Sequence, residues 1–238
     1  MSALISLASP VLLRPSWLDW LLPPRCGSCR RLGAWLCAPC RRRVRRLEEP
    51  LCPRCGRELE FASATCSCRA RLRALRRARS ATAYEGPVEQ AIHRFKYEGW
   101  RCLAEPLAGL VADRLAVEGV PAALLVAVPL HRHRLRSRGY NQSELLAREL
   151  RRRFGLDGSS RWLLRLRDTP PQVGLDRRHR RVNVAGAFAW RGPRLDGRAI
   201  ILVDDVATTC ATLEACAAAV RAAGSGTVHG LTVARVSI

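Results

Sequence analysis

Between Ala199 and Thr212 the chain reads AIILVDDVATTCAT, and its second half gathers two carboxylates and three hydroxyls. Paired carboxylates such as Asp204 and Asp205 accept hydrogen bonds from neighbouring sugar hydroxyls. Thr208, Thr209 and Thr212 supply hydroxyls, while a turn running into a helix presents free backbone N–H groups to an anion. An anion cradle beside two carboxylates is a layout for a ribose 5-phosphate. An acidic pair alone is equally the makeup of a solvated turn. What sets this one apart is its register with an apolar run before it and a helix start after it.

The elements needed to hold that chemistry are legible around it. Ile200, Ile201, Leu202 and Val203 form a continuous apolar run, as in a strand covered on both faces of a parallel sheet. The acids then stand at its carboxyl end, where open α/β sheets bind ligands. From Ala81 onward strand and helix patterns alternate. Helices are expected at Pro87–Phe95, Leu103–Val117 and Asn141–Arg153, and strands at Ala123–Val128, Trp162–Leu166 and Ala187–Trp190. The acidic motif, an Ala-rich helix ending at Gly224 and a last strand Val228–Ala234 complete the series. Such alternation predicts an α/β fold with a doubly wound, mainly parallel sheet over 81–238.

Two further segments bear on an anionic ligand. In Val128–Gln142, VPLHRHRLRSRGYNQ, a loop after a buried strand would bring Arg132, Arg134, Arg136 and Arg138 to the crevice of Asp204. Arginine forks suit pyrophosphate oxygens. His131 and His133 have the chemistry for proton transfer, although histidines in surface loops are usually inert. The Pro-interrupted segment Arg165–Asn183 has the length and polarity of a lid that excludes water.

Eight of the eleven cysteines lie between positions 26 and 68, as Cys26/Cys29, Cys37/Cys40, Cys52/Cys55 and Cys66/Cys68. A Cys-x-x-Cys knuckle matches two corners of a tetrahedral zinc site. The simplest grouping is sequential: Cys26, Cys29, Cys37 and Cys40 on one zinc, and Cys52, Cys55, Cys66 and Cys68 on another. A crossed pairing, a disulfide framework and an iron–sulfur centre are the alternatives. Four thiolates per metal leave no open position, so the expected role of 23–70 is structural, and its folding should depend on metal. Of the remaining three cysteines, Cys216 reads as core packing.

Lysine and arginine total 41 against 20 acidic residues, a net charge of +21, and Lys96 is the only lysine. The excess, dense over Arg41–Arg79, favours a polyanionic partner through phosphate contacts. Aromatic residues for base stacking are scarce there, Trp35 and Phe61 alone. Residues 1–22 are apolar but interrupted by Pro10, Arg14, Pro15 and Asp19. They are read as a docking segment with a short helix at Ser16–Leu22, neither a membrane span nor an export signal, which makes the protein cytoplasmic.

The acidic motif resembles the phosphoribosyl-pyrophosphate (PRPP) motif of type I phosphoribosyltransferases. The resemblance implies that Asp204 and Asp205 contact the ribose hydroxyls and that Ala207, Thr208, Thr209, Cys210, Ala211 and Thr212 cradle the 5-phosphate. Cys210 stands where that family has glycine. It is expected to fit with negative φ and, lying among phosphate-directed amides, to be the most alkylation-prone cysteine outside the zinc sites. With the cysteine module, FKYEG at Phe95–Gly99, the VPLHRHRLRSRGYNQ stretch, Thr169–Gln172 and Arg180–Asn183, the chain resembles the ComF family. That resemblance implies a double zinc ribbon joined to a phosphoribosyltransferase domain, with two structural Zn²⁺ and Mg²⁺ accompanying PRPP. It implies transfer of a phosphoribosyl group with loss of pyrophosphate, which Arg136, Arg138, Arg180 and Gln172 would stabilise. It also implies a link to DNA uptake in natural transformation. The alternative is a non-catalytic PRPP-responsive adaptor for single-stranded DNA, a DNA-uptake helicase or other competence proteins.

Overall fold

The apolar runs of the sequence pair side by side in one sheet, and that sheet sets where every charged motif ends up. The computed structural model describes residues 23–118, 123–159, 161–168 and 186–237. Four strands, β1 (Arg77–Ala83), β2 (Leu124–Ala127), β5 (Ile200–Ala207) and β6 (Val228–Arg235), lie in the order β1-β6-β5-β2, all parallel. Strand residues alternate between two packed faces. Leu125, Ala127, Ile201 and Val203 meet α2 (Gly86–Tyr97), α3 (Ala104–Glu118) and α5 (Gln142–Phe154) through Ile92, Phe95, Leu107 and Leu146. On the other face, Leu124, Val126, Ile200 and Leu202 meet α6 (Ala211–Ala222) through Leu213, Cys216 and Val220. Helices on both faces of a parallel sheet make this an α/β, doubly wound fold.

The cysteine-bearing segment is built into the same two cores. Cys26, Cys37 and Cys40, the last on the short helix α1 (Ala38–Arg42), pack in the first with Leu103. Cys52, Cys55 and Cys68 pack in the second with Leu72 and Leu75. The fit is close: a Cβ on Gly27 would stand 2.5 Å from Leu103 Cδ2, and one on Gly56 (φ +70°) 2.6 Å from the Ala78 carbonyl.

Four elements differ from the sequence expectation. The arginine-rich segment is a helix, α4 (Arg132–Arg138), rather than a loop. His131 accepts the His133 N–H as its N-cap, and Gly139 ends it in the left-handed conformation at φ +76°. β5 runs on through the acidic pair to Ala207, because β6 stays in register with it as far as Arg235. The short strands β3 (Leu163–Arg165) and β4 (Phe188–Trp190) pair with each other, antiparallel, and pack on α6 instead of joining the sheet. Among the described residues no helix is long and apolar enough to cross a membrane. The expected docking helix at Ser16–Leu22 lies outside the described residues, as do Thr169–Gln172 and Arg180–Asn183.

Candidate functional site

β5 sits inside the sheet, flanked by β6 and β2, so its acids are held by neighbours on both sides. Asp205 is buried, and its Oδ1 lies 2.8 Å from Lys96 Nζ at the end of α2. Asp205 Oδ2 is also buried and, among the described residues, has no hydrogen-bond partner. Asp204 Oδ1 accepts from Ser143 Oγ at 2.8 Å and from the Asp205 N–H at 2.9 Å. Burial and the adjoining Asp205 carboxylate push Asp204 up to about 7, with Lys96 and the two donors opposing. Burial works against the Lys96 ammonium too, but Asp205 and Asp204 hold it charged, above its ordinary range. The Tyr140 hydroxyl donates to the Phe95 carbonyl and pins the end of α2 that carries Lys96.

Beyond the acids, Thr208 and Thr209 are half-buried, and Thr209 Oγ1 accepts the Ala211 N–H at 3.4 Å as α6 begins. Cys210 does not take negative φ: it stands at φ +62°, in the left-handed region. Glycine reaches that region without cost, which accounts for the family's residue there. Nor is the thiol open to alkylation, since Cys210 is 3% exposed and 3.4 Å from Arg235 Nη1. The same Nη1 donates to the Cys55 carbonyl at 2.8 Å. Buried Arg235 thus ties the turn to the second cysteine knuckle. One turn into α6, Glu214 accepts three successive backbone amides, those of Arg73, Ala74 and Leu75, at 2.8, 2.8 and 2.9 Å.

Of the arginines, Arg138 approaches this region: it lies 5.3 Å from the centre of the Tyr97 ring, next to Lys96, and donates to Gln142 Oε1. Arg136 is exposed on α4. Gln172 and Arg180 fall outside the described residues. The acids were legible from local spacing, but Lys96, Ser143, Glu214 and Arg235 reach their partners only through the fold. For Lys96 a signal existed, a lone lysine in a chain that otherwise uses arginine throughout.

The cysteines gather as two sets of four, Cys26/Cys29/Cys37/Cys40 and Cys52/Cys55/Cys66/Cys68, with all Sγ atoms of a set within 4.8 Å of one another. Spacings of 3.6 Å (Cys29–Cys37), 3.5 Å (Cys52–Cys68) and 3.7 Å (Cys55–Cys66) approach the edge of about 3.8 Å that tetrahedral Zn–S bonds of ~2.3 Å require. Both sets fit a structural zinc. Against the cost of burial, backbone N–H groups of Cys37, Ser28 and Cys29 lower Cys26 to about 6. Those of Cys55 and Arg54 lower Cys52 to about 7, so each set holds a ready thiolate.

Residues 17–72 match the double zinc ribbon domain. Over 218 residues the chain is 32% identical to the DNA utilization protein YhgH of Salmonella typhi, covering 87% of this chain and 95% of that one. It is 30% identical to Competence protein F of Haemophilus influenzae, over 75% of this chain and 80% of that protein. It is 29% identical to Competence protein ComFC of Bacillus subtilis, over 75% and 74%. With a relative above 30% identity spanning most of both chains, and with both cysteine sets assembled, this protein belongs to the ComF family.

Proposed function

We propose that the crevice at the carboxyl ends of β5 and β2 binds PRPP. Asp204 and Asp205 take the ribose hydroxyls, and Ala207, Thr208, Thr209, Cys210, Ala211 and Thr212 surround the 5-phosphate. The observation that carries this reading is Asp205 Oδ2, a buried carboxylate oxygen with no donor among the described residues, at the end of an interior strand and just before the hydroxyl-bearing turn. Buried polar atoms seldom stay unsatisfied, and a ligand hydroxyl would supply the missing bond. Mg²⁺ would arrive with PRPP and neutralise pyrophosphate charge. Arg136, Arg138 and, from the segment outside the described residues, Arg180 and Gln172 would stabilise pyrophosphate as it leaves. In that step the bond from the anomeric carbon to pyrophosphate breaks, and the acceptor forms its bond there with loss of a proton.

The wider role we propose is in DNA uptake, as the names Competence protein F and Competence protein ComFC of two relatives indicate for those proteins. Exposed Arg42 and Arg43, with the 57% exposed Phe61, favour a second reading in which PRPP is a regulator of binding to single-stranded DNA or competence proteins. A cytoplasmic location goes with both. Incubation with labelled PRPP, Mg²⁺ and candidate acceptors, following pyrophosphate, separates them. Release that depends on an acceptor supports transfer; tight binding without release supports the adaptor. Absence of PRPP binding overturns the site.

A further inference from the structure

We propose that His131, His133 and Asp168 form a third metal site, for a divalent transition ion such as Zn²⁺, apart from both cysteine sets. The inference does not rest on PRPP binding. A ring nitrogen from each imidazole and a carboxylate oxygen converge within 4.8 Å. Asp168 Oδ2 lies 3.0 Å from His133 Nδ1 and 3.3 Å from His131 Nδ1. Ligand atoms bonded to one zinc at ~2.0–2.1 Å stand about 2.9–3.4 Å apart, so both nitrogen–oxygen distances match a coordination sphere.

Asp168 Oδ2 and His133 Nδ1 are hydrogen-bond partners at 3.0 Å, so the carboxylate is already held at the imidazole. His131 Nδ1 has one lone pair, which either accepts the His133 N–H at 3.4 Å or binds a metal, so an ion would replace that long contact with a coordinate bond. Arg134 Nε lies 3.9 Å from the other carboxylate oxygen, Oδ1, where it can orient the carboxylate as outer partners of metal ligands do. The rings of His131 and His133 meet edge to face at 4.8 Å, which fixes their mutual orientation.

Two imidazoles and a carboxylate select zinc, cobalt or nickel over magnesium or calcium, and three ligands leave a position open to water or a phosphate oxygen. His131 is buried, while His133 and Asp168 are exposed, so an ion reaches the trio from solvent. The sequence marked both histidines for proton transfer alone, since their carboxylate partner lies far along the chain.

The test uses the full, untagged chain, washed with a weak chelator until only the tightly held zinc of the cysteine sets remains. Titration with Co²⁺ should add one equivalent per chain, with weak d–d bands and no thiolate charge-transfer band. His133→Ala, at an exposed position, should weaken that binding by about tenfold or more and leave the tightly held zinc unchanged. Asp168→Asn should do the same without disturbing the cap on α4. A wild-type chain that takes up no further equivalent overturns the proposal. So does uptake that survives the two substitutions combined, or that carries a thiolate band.

Discussion

Lys96 and Asp205 form the contact on which the acidic pair depends. A compact ammonium fits a point contact with one oxygen of a buried carboxylate, where a guanidinium fork would need two. Lys96→Ala leaves Asp205 buried and unpaired, and removal of one partner from such a pair costs about 3–5 kcal/mol, measurable by urea denaturation. Lys96→Ala combined with Asp205→Asn should recover much of that loss. Asp204 governs pH dependence. Its folded-state value of about 7 exceeds the ~3.9 of an unfolded chain, so the folded form binds the extra proton between those values. Stability from this group is therefore fully present below about pH 4 and declines as pH rises towards 7. The ribose contact proposed for Asp204 is stronger with the ionised form, so PRPP affinity should rise from pH 6 to pH 8. Calorimetric titrations at both pH values check this, and Asp204→Asn should flatten the response. The acids were readable because their spacing is local. The groups that set their charge state were not, because Lys96 and Ser143 come from other helices.

Among the elements, the cysteine segment was the most legible, since its ligand spacing is a property of short loops. Its place in the fold was not, because each set of four joins a different face of the sheet. Cys26→Ser with Cys29→Ser should release one of the two tightly held zinc equivalents, read by elemental analysis. Because Gly27, next to Cys26, abuts Leu103 just before α3, that loss should also loosen α3, seen as faster amide exchange there. Glu214 is the second connection between layers. A glutamine at this position sets an N–H₂ group against amide donors, so Glu214→Gln should cost about 1.5–3 kcal/mol and unprotect the amides of residues 73–75. α4 escaped prediction because Leu135 is its one apolar residue and no hydrophobic periodicity marks it. Its ends decide it: a histidine cap and Gly139.

At the scale of the whole molecule, the excess of basic residues was plain in composition, but which arginines are committed to the fold was not. Arg41 and Arg46 share Asp113, at 3.3 and 2.7 Å, and Arg45 spans Glu58 and Glu85, both at 2.8 Å. These pairs are exposed and each contributes little by itself. They do neutralise local positive charge on the protein's own surface. Arg42 and Arg43 remain exposed, which makes them the better test of a nucleic-acid contact. Arg42→Ala with Arg43→Ala should weaken single-stranded DNA binding regardless of base sequence. The slope of log affinity against log salt should fall by about 0.7 for each phosphate the variant no longer engages. An unchanged slope places the DNA interface elsewhere.

The strand order carries a consequence for how the chain is made. β6 is made after β1, β2 and β5 yet lies between β1 and β5, so the interior of the sheet cannot be completed until it has been synthesised. Until then β1 lacks its partner strand, although a bridge joins its Thr82 to Arg46, and the edge of β5 that bears the acidic pair stands open. Arg235, at the end of β6, then joins the sheet to a cysteine knuckle some 180 residues earlier in the chain. A message broken before Val228 would thus yield a chain that can gather metal but cannot assemble the crevice. Such a product would leave β1 and β5 as bare strand edges, open to aggregation and to clearance by proteases.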